Sequence, residues 1–274
     1  MNVWISGASA GIGRALALEY ARRGWRVIAS ARRADRLKDL AEEMQSAAPG
    51  SPEMLPLPFD YRDAAGLQGA VDRAFDAIPA DETLDLIILN AGISQRAWFR
   101  DTSAVLDEDI LSVDLHAPIG LARHILPRLH AQGRGHLAAV GSLAGLIPAP
   151  MRSIYAAAKH GLHGFFKTLA VEEASRGIIV SLIIPGFVQS DISINALDSQ
   201  GHRWNRMDRE MARGQTAEQA ALRIRKGLER GKRVIYTGYD FSLKLARLLQ
   251  RFAPGILHRI LCNRAQKMEQ EASE

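Results

Sequence analysis

Short apolar runs bounded by turn-forming residues recur along the whole chain: VWIS, WRVIAS, EMLPLPF, LDLIILN, GHLAAVGS, IIVSLIIP and KRVIYTG. They lack strict apolar–polar alternation, as expected of parallel strands covered on both faces. Between them lie stretches with apolar residues at three-four spacing, such as RALALEYARRG and RLKDLAEEM, which read as amphipathic helices. Strand and helix alternating from end to end predict an α/β fold. The expectation is one doubly wound domain over residues 1–274, with a mainly parallel seven-stranded sheet and no repeat or long linker.

Two helical stretches are long. Residues 104–131 carry Pro118 and Pro127, where the helix is expected to bend or fray. Residues 153–175, SIYAAAKHGLHGFFKTLAVEEAS, are rich in small side chains that let the sheet, a helix or a ligand approach closely.

Composition narrows the picture. With 47% apolar residues the chain can bury a large core. A single cysteine, Cys262, forms no internal disulfide, which fits a reducing compartment. No apolar stretch has the length of a leader or a spanning helix, so a cytoplasmic protein without either is expected. The net charge of +5 is concentrated: Phe241 to Met268 holds no acid but carries Lys244, Arg247, Arg251, Arg259, Arg264 and Lys267. No basic motif interleaved with stacking aromatics appears, so nucleic acid is not an expected partner. The tail, about 240–268, sets leucine-type residues among these cations at helical spacing, and Pro254-Gly255 splits it into two helices. It is expected to pack on the domain or on a second subunit, with peripheral contact to an anionic membrane as the alternative.

The first candidate site is SGASAGIG, which follows a strand and opens a helix. Glycines there let backbone N–H groups meet a pyrophosphate, aided by the helix dipole. At the end of the second strand, ASARRAD places Arg32 and Arg33 where a dinucleotide fold specific for NAD carries an acid. Two guanidinium groups suit a 2′-phosphate, so NADP (NADPH) is favoured over NAD.

The second site lies in VGSLAGLIPAPMRSIYAAAKHG. Tyr155 and Lys159, four apart, share a helix face, and Ser142 stands thirteen residues before Tyr155 at a strand's carboxyl end. A free phenol is a poor acid or base near neutrality, and a neighbouring ammonium brings proton transfer within reach. A serine hydroxyl can hold a carbonyl or alkoxide oxygen against the tyrosine.

In this order the motifs resemble the short-chain dehydrogenase/reductase superfamily in its compact, single-domain Rossmann form, over nearly the whole chain. The resemblance implies a glycine signature at Ser6, Gly7, Ser9, Gly11, Ile12 and Gly13, an acid beside the adenine at Asp60, and the Asn90-Ala91-Gly92 signature along the cofactor. It also implies cofactor contacts from Pro185, Gly186, Val188 and Ser190, with Tyr155 and Lys159 shared between cofactor and catalysis, and a basic residue of NADP-preferring members at Arg32. Ser142, Tyr155 and Lys159 match the catalytic residues. Asp114, in ILSVDLHAPIG, replaces the family's asparagine of the catalytic tetrad, so the water-linked relay toward the lysine is the part that departs. No metal site is expected.

The implied reaction is hydride transfer between a nicotinamide and a carbonyl or alcohol carbon. Apolar Trp98, Phe99, Leu143, Leu146 and Ile147, and a segment from about 187 to 214 that corresponds to a substrate lid, indicate a hydrophobic ketone, aldehyde or alcohol. The resemblance also implies a homodimer or homotetramer associating through the two long helices, about 104–131 and 153–175. The competing readings are a non-catalytic NADP sensor or scaffold, which typically loses the tyrosine or lysine, and an epimerase or dehydratase, which is typically longer with a different glycine spacing.

Overall fold

Successive residues of the apolar runs pack into opposite layers. The structure, a computed structural model, describes residues 1–273. In strand β1 (Asn2–Ser6), Trp4 joins the core on one face of the sheet while Val3 and Ile5 join the core on the other. Both faces are covered, which is why the runs do not alternate.

The remaining order is α1 (Gly11–Ala21), β2 (Arg26–Ala31), α2 (Ala34–Ala47), β3 (Leu55–Pro58), α3 (Leu67–Asp76) and β4 (Leu84–Leu89). Then come α4 (Ala104–Leu111), α5 (Ala117–Gln132), β5 (Gly135–Val140), α6 (Ser153–Glu172) and β6 (Ile178–Pro185). The chain continues through β7 (Val188–Gln189), α7 (Arg209–Ala212), β8 (Gln215–Thr216), α8 (Ala217–Glu229), β9 (Val234–Thr237), α9 (Phe241–Phe252) and α10 (Pro254–Ser273). The seven-stranded sheet runs β3-β2-β1-β4-β5-β6-β9 with every pair parallel. Strand order reverses between β1 and β4, which opens a crevice at their carboxyl ends.

One layer of core is built from α3, α5 and α6, with Val71, Leu121, Ile125 and Phe166 against Ile28, Ile87 and Leu182. The other is built from α1, α2 and α8, with Leu16, Leu37 and Ile224 against Val27, Ile88 and Ile183. Tyr61 ties the edge to the centre: its hydroxyl meets Ser30 Oγ at 2.5 Å, and Ser30 Oγ accepts from Trp4 Nε1 at 2.9 Å.

The long helix over residues 104–131 is interrupted, but not at its prolines. A π-helical turn, Ser112–His116, divides α4 from α5. Pro118 falls in the first turn of α5, where its missing N–H is harmless, and Pro127 stands on the exposed face of a continuous helix. The tail forms two helices as expected, although α10 extends beyond residue 268 to Ser273.

Candidate active site

The turn after β1 is held by the end of β4. Ser6 Oγ accepts the backbone N–H groups of Asn90 (2.8 Å) and Ala91 (2.9 Å). Asn90 Nδ2 donates to the carbonyls of Ser6 (3.0 Å) and Gly7 (3.2 Å). Gly7 adopts φ +66°, a left-handed conformation that disfavours side chains, and a Cβ there would stand 2.7 Å from Ala91 Cα. A Cβ on Gly13 would stand 2.4 Å from the Gly7 carbonyl oxygen. Gly13 is thus needed to seat α1 against the strand ends.

This packing leaves the start of α1 open. Its N-cap, Ala10, offers no side-chain cap, and Ser9 through Ile12 are half-buried. The first N–H groups of a helix need outside partners, and an uncapped N-terminus suits an anion. Ser190 packs beside Gly11, where a Cβ would lie 3.1 Å from Ser190 Cβ. Arg33 reaches toward the turn, its guanidinium 3.4 Å from Ser9 Oγ, while Arg32 is exposed and makes no ion pair among the described residues. Asp60 is half-buried just after β3 and accepts the N–H of Arg62 at 3.0 Å. Pro185, Gly186 and Val188 lie at the carboxyl end of β6, with Gly186 tight against the Gly238 carbonyl. An uncapped helix end with the Arg33 guanidinium nearby fits the phosphates of a nicotinamide dinucleotide.

Across the crevice, Ser142 follows β5 and caps a short 3-10 turn, Leu143–Gly145, its Oγ accepting from Ala144 N at 3.2 Å. Tyr155 and Lys159 project from α6, one turn apart and both buried. Lys159 Nζ donates to the Val140 carbonyl at 3.3 Å and lies 5.6 Å from the centre of the Tyr155 ring. Its counter-charge is Asp114, in the π-helical turn, with Oδ1 at 3.6 Å. Such turns often mark functional sites. Asp114 has no exposed surface. Its Oδ1 accepts the Ile93 N–H at 3.0 Å, and its Oδ2 has no partner. Burial pushes its carboxyl up to about 6, against the opposing pull of Lys159 and the Ile93 N–H. Gly92 makes room for it, since a Cβ there would lie 2.7 Å from Asp114 Oδ1.

Two features were not read from the sequence. His163 stands one turn beyond Lys159, and its Nε2 accepts the Ser142 N–H at 3.3 Å. Burial pushes its imidazole down to about 3, so it stays neutral near pH 7. Its i+4 spacing from Lys159 was the available signal. The other is a charge cluster at Asp208. Arg152 Nη2 lies 2.7 Å from Asp208 Oδ2, and buried Arg96 donates to both carboxylate oxygens, with its Nε 3.1 Å from Oδ1. These residues are too far apart in sequence to give a pattern.

Fold and site together point to an oxidoreductase built on a doubly wound sheet. The model of the short chain dehydrogenase family matches residues 1–201, and the chain belongs to that family. The chain is 33% identical over 268 residues to dehydrogenase/reductase SDR family member 7B of Bos taurus, covering 97% of this chain and 81% of the relative. In structure it is similar to a short-chain dehydrogenase from Sphingobium yanoikuyae in complex with NADPH (TM-score 0.75, 24% identity, 94% of this chain and 95% of that one). It is likewise similar to a short-chain dehydrogenase/reductase from Burkholderia phymatum in complex with NAD (TM-score 0.74, 21% identity, 86% of this chain and 88% of that one). The protein is an oxidoreductase of this family.

Proposed function

We propose that this chain is an NADPH-dependent oxidoreductase that interconverts a hydrophobic ketone or aldehyde with its alcohol, using Ser142, Tyr155 and Lys159. The observation that carries this reading is the buried Lys159 ammonium beside the Tyr155 ring, fixed between the Val140 carbonyl and Asp114. A buried cation is costly to maintain unless partners and a task hold it there.

The nicotinamide supplies or accepts the hydride when bound. Gly7, Ser9, Gly11, Ile12 and Gly13 would present the start of α1 to the pyrophosphate, while Arg32 and Arg33 would hold the 2′-phosphate and Asp60 the adenine end. Asn90, Ala91, Gly92, Pro185, Gly186, Val188 and Ser190 would hold the nicotinamide half. Tyr155 delivers the proton to the substrate oxygen, or removes it in the oxidative direction. Ser142 Oγ donates a hydrogen bond to that oxygen, and His163 fixes the serine's backbone. Lys159 holds the nicotinamide ribose. The segment between β7 and β8 acts as the substrate lid.

Replacing Tyr155 by Phe removes the proton donor and leaves the packing. Turnover of a lipophilic ketone should fall at least about a thousandfold, the upper part of the range for general acid catalysis, while NADPH binding stays near wild type. Near-normal turnover by this variant would sink the assignment. Charge-assisted hydrogen bonds contribute about 1.5–3 kcal/mol each. The Arg32→Ala/Arg33→Ala variant should therefore weaken NADPH binding at least about tenfold and leave NADH binding little changed. A fluorescence titration with both cofactors measures this, and tighter NADH binding by the wild type would overturn the NADPH preference.

A further inference from the structure

The tail covers one part of the molecule and exposes another. Leu243 of α9 and Leu257 of α10 are buried with Leu143 and Ile147, the residues that follow Ser142, and Ala246, Leu249 and Leu261 pack around them. A second stripe of α9, Phe241, Leu245, Leu248 and Phe252, runs at i, i+4, i+7 and i+11 and faces solvent, with Phe241 80% and Phe252 74% exposed. Ile256 and Ile260 of α10 are also exposed. Lys244, Arg247 and Arg251 occupy the third side of α9 by their spacing, and Arg247 and Arg251 lie near the Tyr236 and Phe252 rings.

We propose that α9 and the start of α10 form a docking face for an anionic lipid surface, lying in the plane of the headgroups. An exposed apolar stripe bordered by cations is the chemistry of an interfacial helix. No carboxylate lies between Phe241 and Met268. Of the six basic residues there, only Arg264 pairs with a carboxylate, Glu210, among the described residues. The unpaired cations also argue against a second copy as occupant, because self-association would bring like charges together. No described helix is long and apolar enough to cross a membrane, so contact is in-plane. The docking does not rest on the reductase reading. It places the lipid surface beside the wall of the candidate site that carries Leu143 and Ile147.

The test is flotation of the full-length protein with phosphatidylcholine vesicles, with and without phosphatidylserine. The wild type should float with the phosphatidylserine vesicles and be released by salt. Leu248→Glu/Phe252→Glu, at exposed positions, should retain the wild-type melting profile and lose at least about tenfold in vesicle partition. Lys244→Gln/Arg247→Gln/Arg251→Gln keeps the apolar stripe and should lose the preference for phosphatidylserine. Failure of the wild type to bind, equal binding to neutral vesicles, or unchanged binding by both variants would overturn the proposal. So would an oligomer, seen by sedimentation without vesicle binding, that dissociates on substitution of the stripe.

Discussion

Asp114 shows how one atom's difference reaches the chemistry. An asparagine in the same place would offer a similar shape, but it could not titrate. Here the buried carboxyl holds its proton up to about 6, above its ordinary 3.8, because the loss of water outweighs the attraction of Lys159. The folded protein therefore binds an extra proton between pH about 4 and about 6, and this group's contribution to stability falls as pH rises through that window. His163 and His136 are held neutral by burial and act with the opposite sign, so the comparison of interest is between variant and wild type. Relative to wild type, Asp114→Asn should gain stability with rising pH by up to about 1.4 kcal/mol per pH unit across the window. Urea unfolding of both proteins at pH 4, 5 and 6 measures the difference. A difference independent of pH would show that Asp114 does not titrate there.

Among the elements, the segment between β7 and β8 depends most on a single polar centre. Most of it lacks regular secondary structure, and α7 is a single short helix. Asp208 accepts from Arg96 on the loop after β4 and from Arg152 just before α6, while its own N–H donates to Ser193 Oγ at 3.1 Å. Removing that carboxylate leaves the buried Arg96 guanidinium without its counter-charge, which is more damaging than the loss of an exposed pair. Asp208→Ala should loosen the segment locally, cleavage by trypsin within residues 190–212 becoming at least about tenfold faster, with the global unfolding transition little changed. Limited proteolysis with mass mapping reads this directly. Unchanged cleavage would mean that the segment is held by other contacts. The interruption of the long helix follows a related lesson: its prolines sit where the helix tolerates them, and the irregularity falls at the π-helical turn that carries Asp114.

For the molecule as a whole, the sheet was legible because its central strands are buried on both sides and leave apolar runs of strand length. The glycine turn was legible because Gly7 and Gly13 answer to backbone constraints that few residues satisfy. Ser142, Tyr155 and Lys159 were legible through helix periodicity and a strand end. Arg96, Arg152 and Asp208 were not, since ion pairs across 112 and 56 residues have no local period. His163 was readable in principle, but the small residues around it gave the segment the look of plain packing. The two-residue ladder of β7 and β8 has a consequence of another kind. Val188 pairs with Gln215 and Gln189 with Thr216, so the excursion leaves the body and returns at one clasped point. The entropy of closing a loop grows only slowly with its length. A longer or shorter stretch beyond the clasp would therefore leave the register of β6 and α8 unchanged, provided it still brings a carboxylate to Arg96 and Arg152.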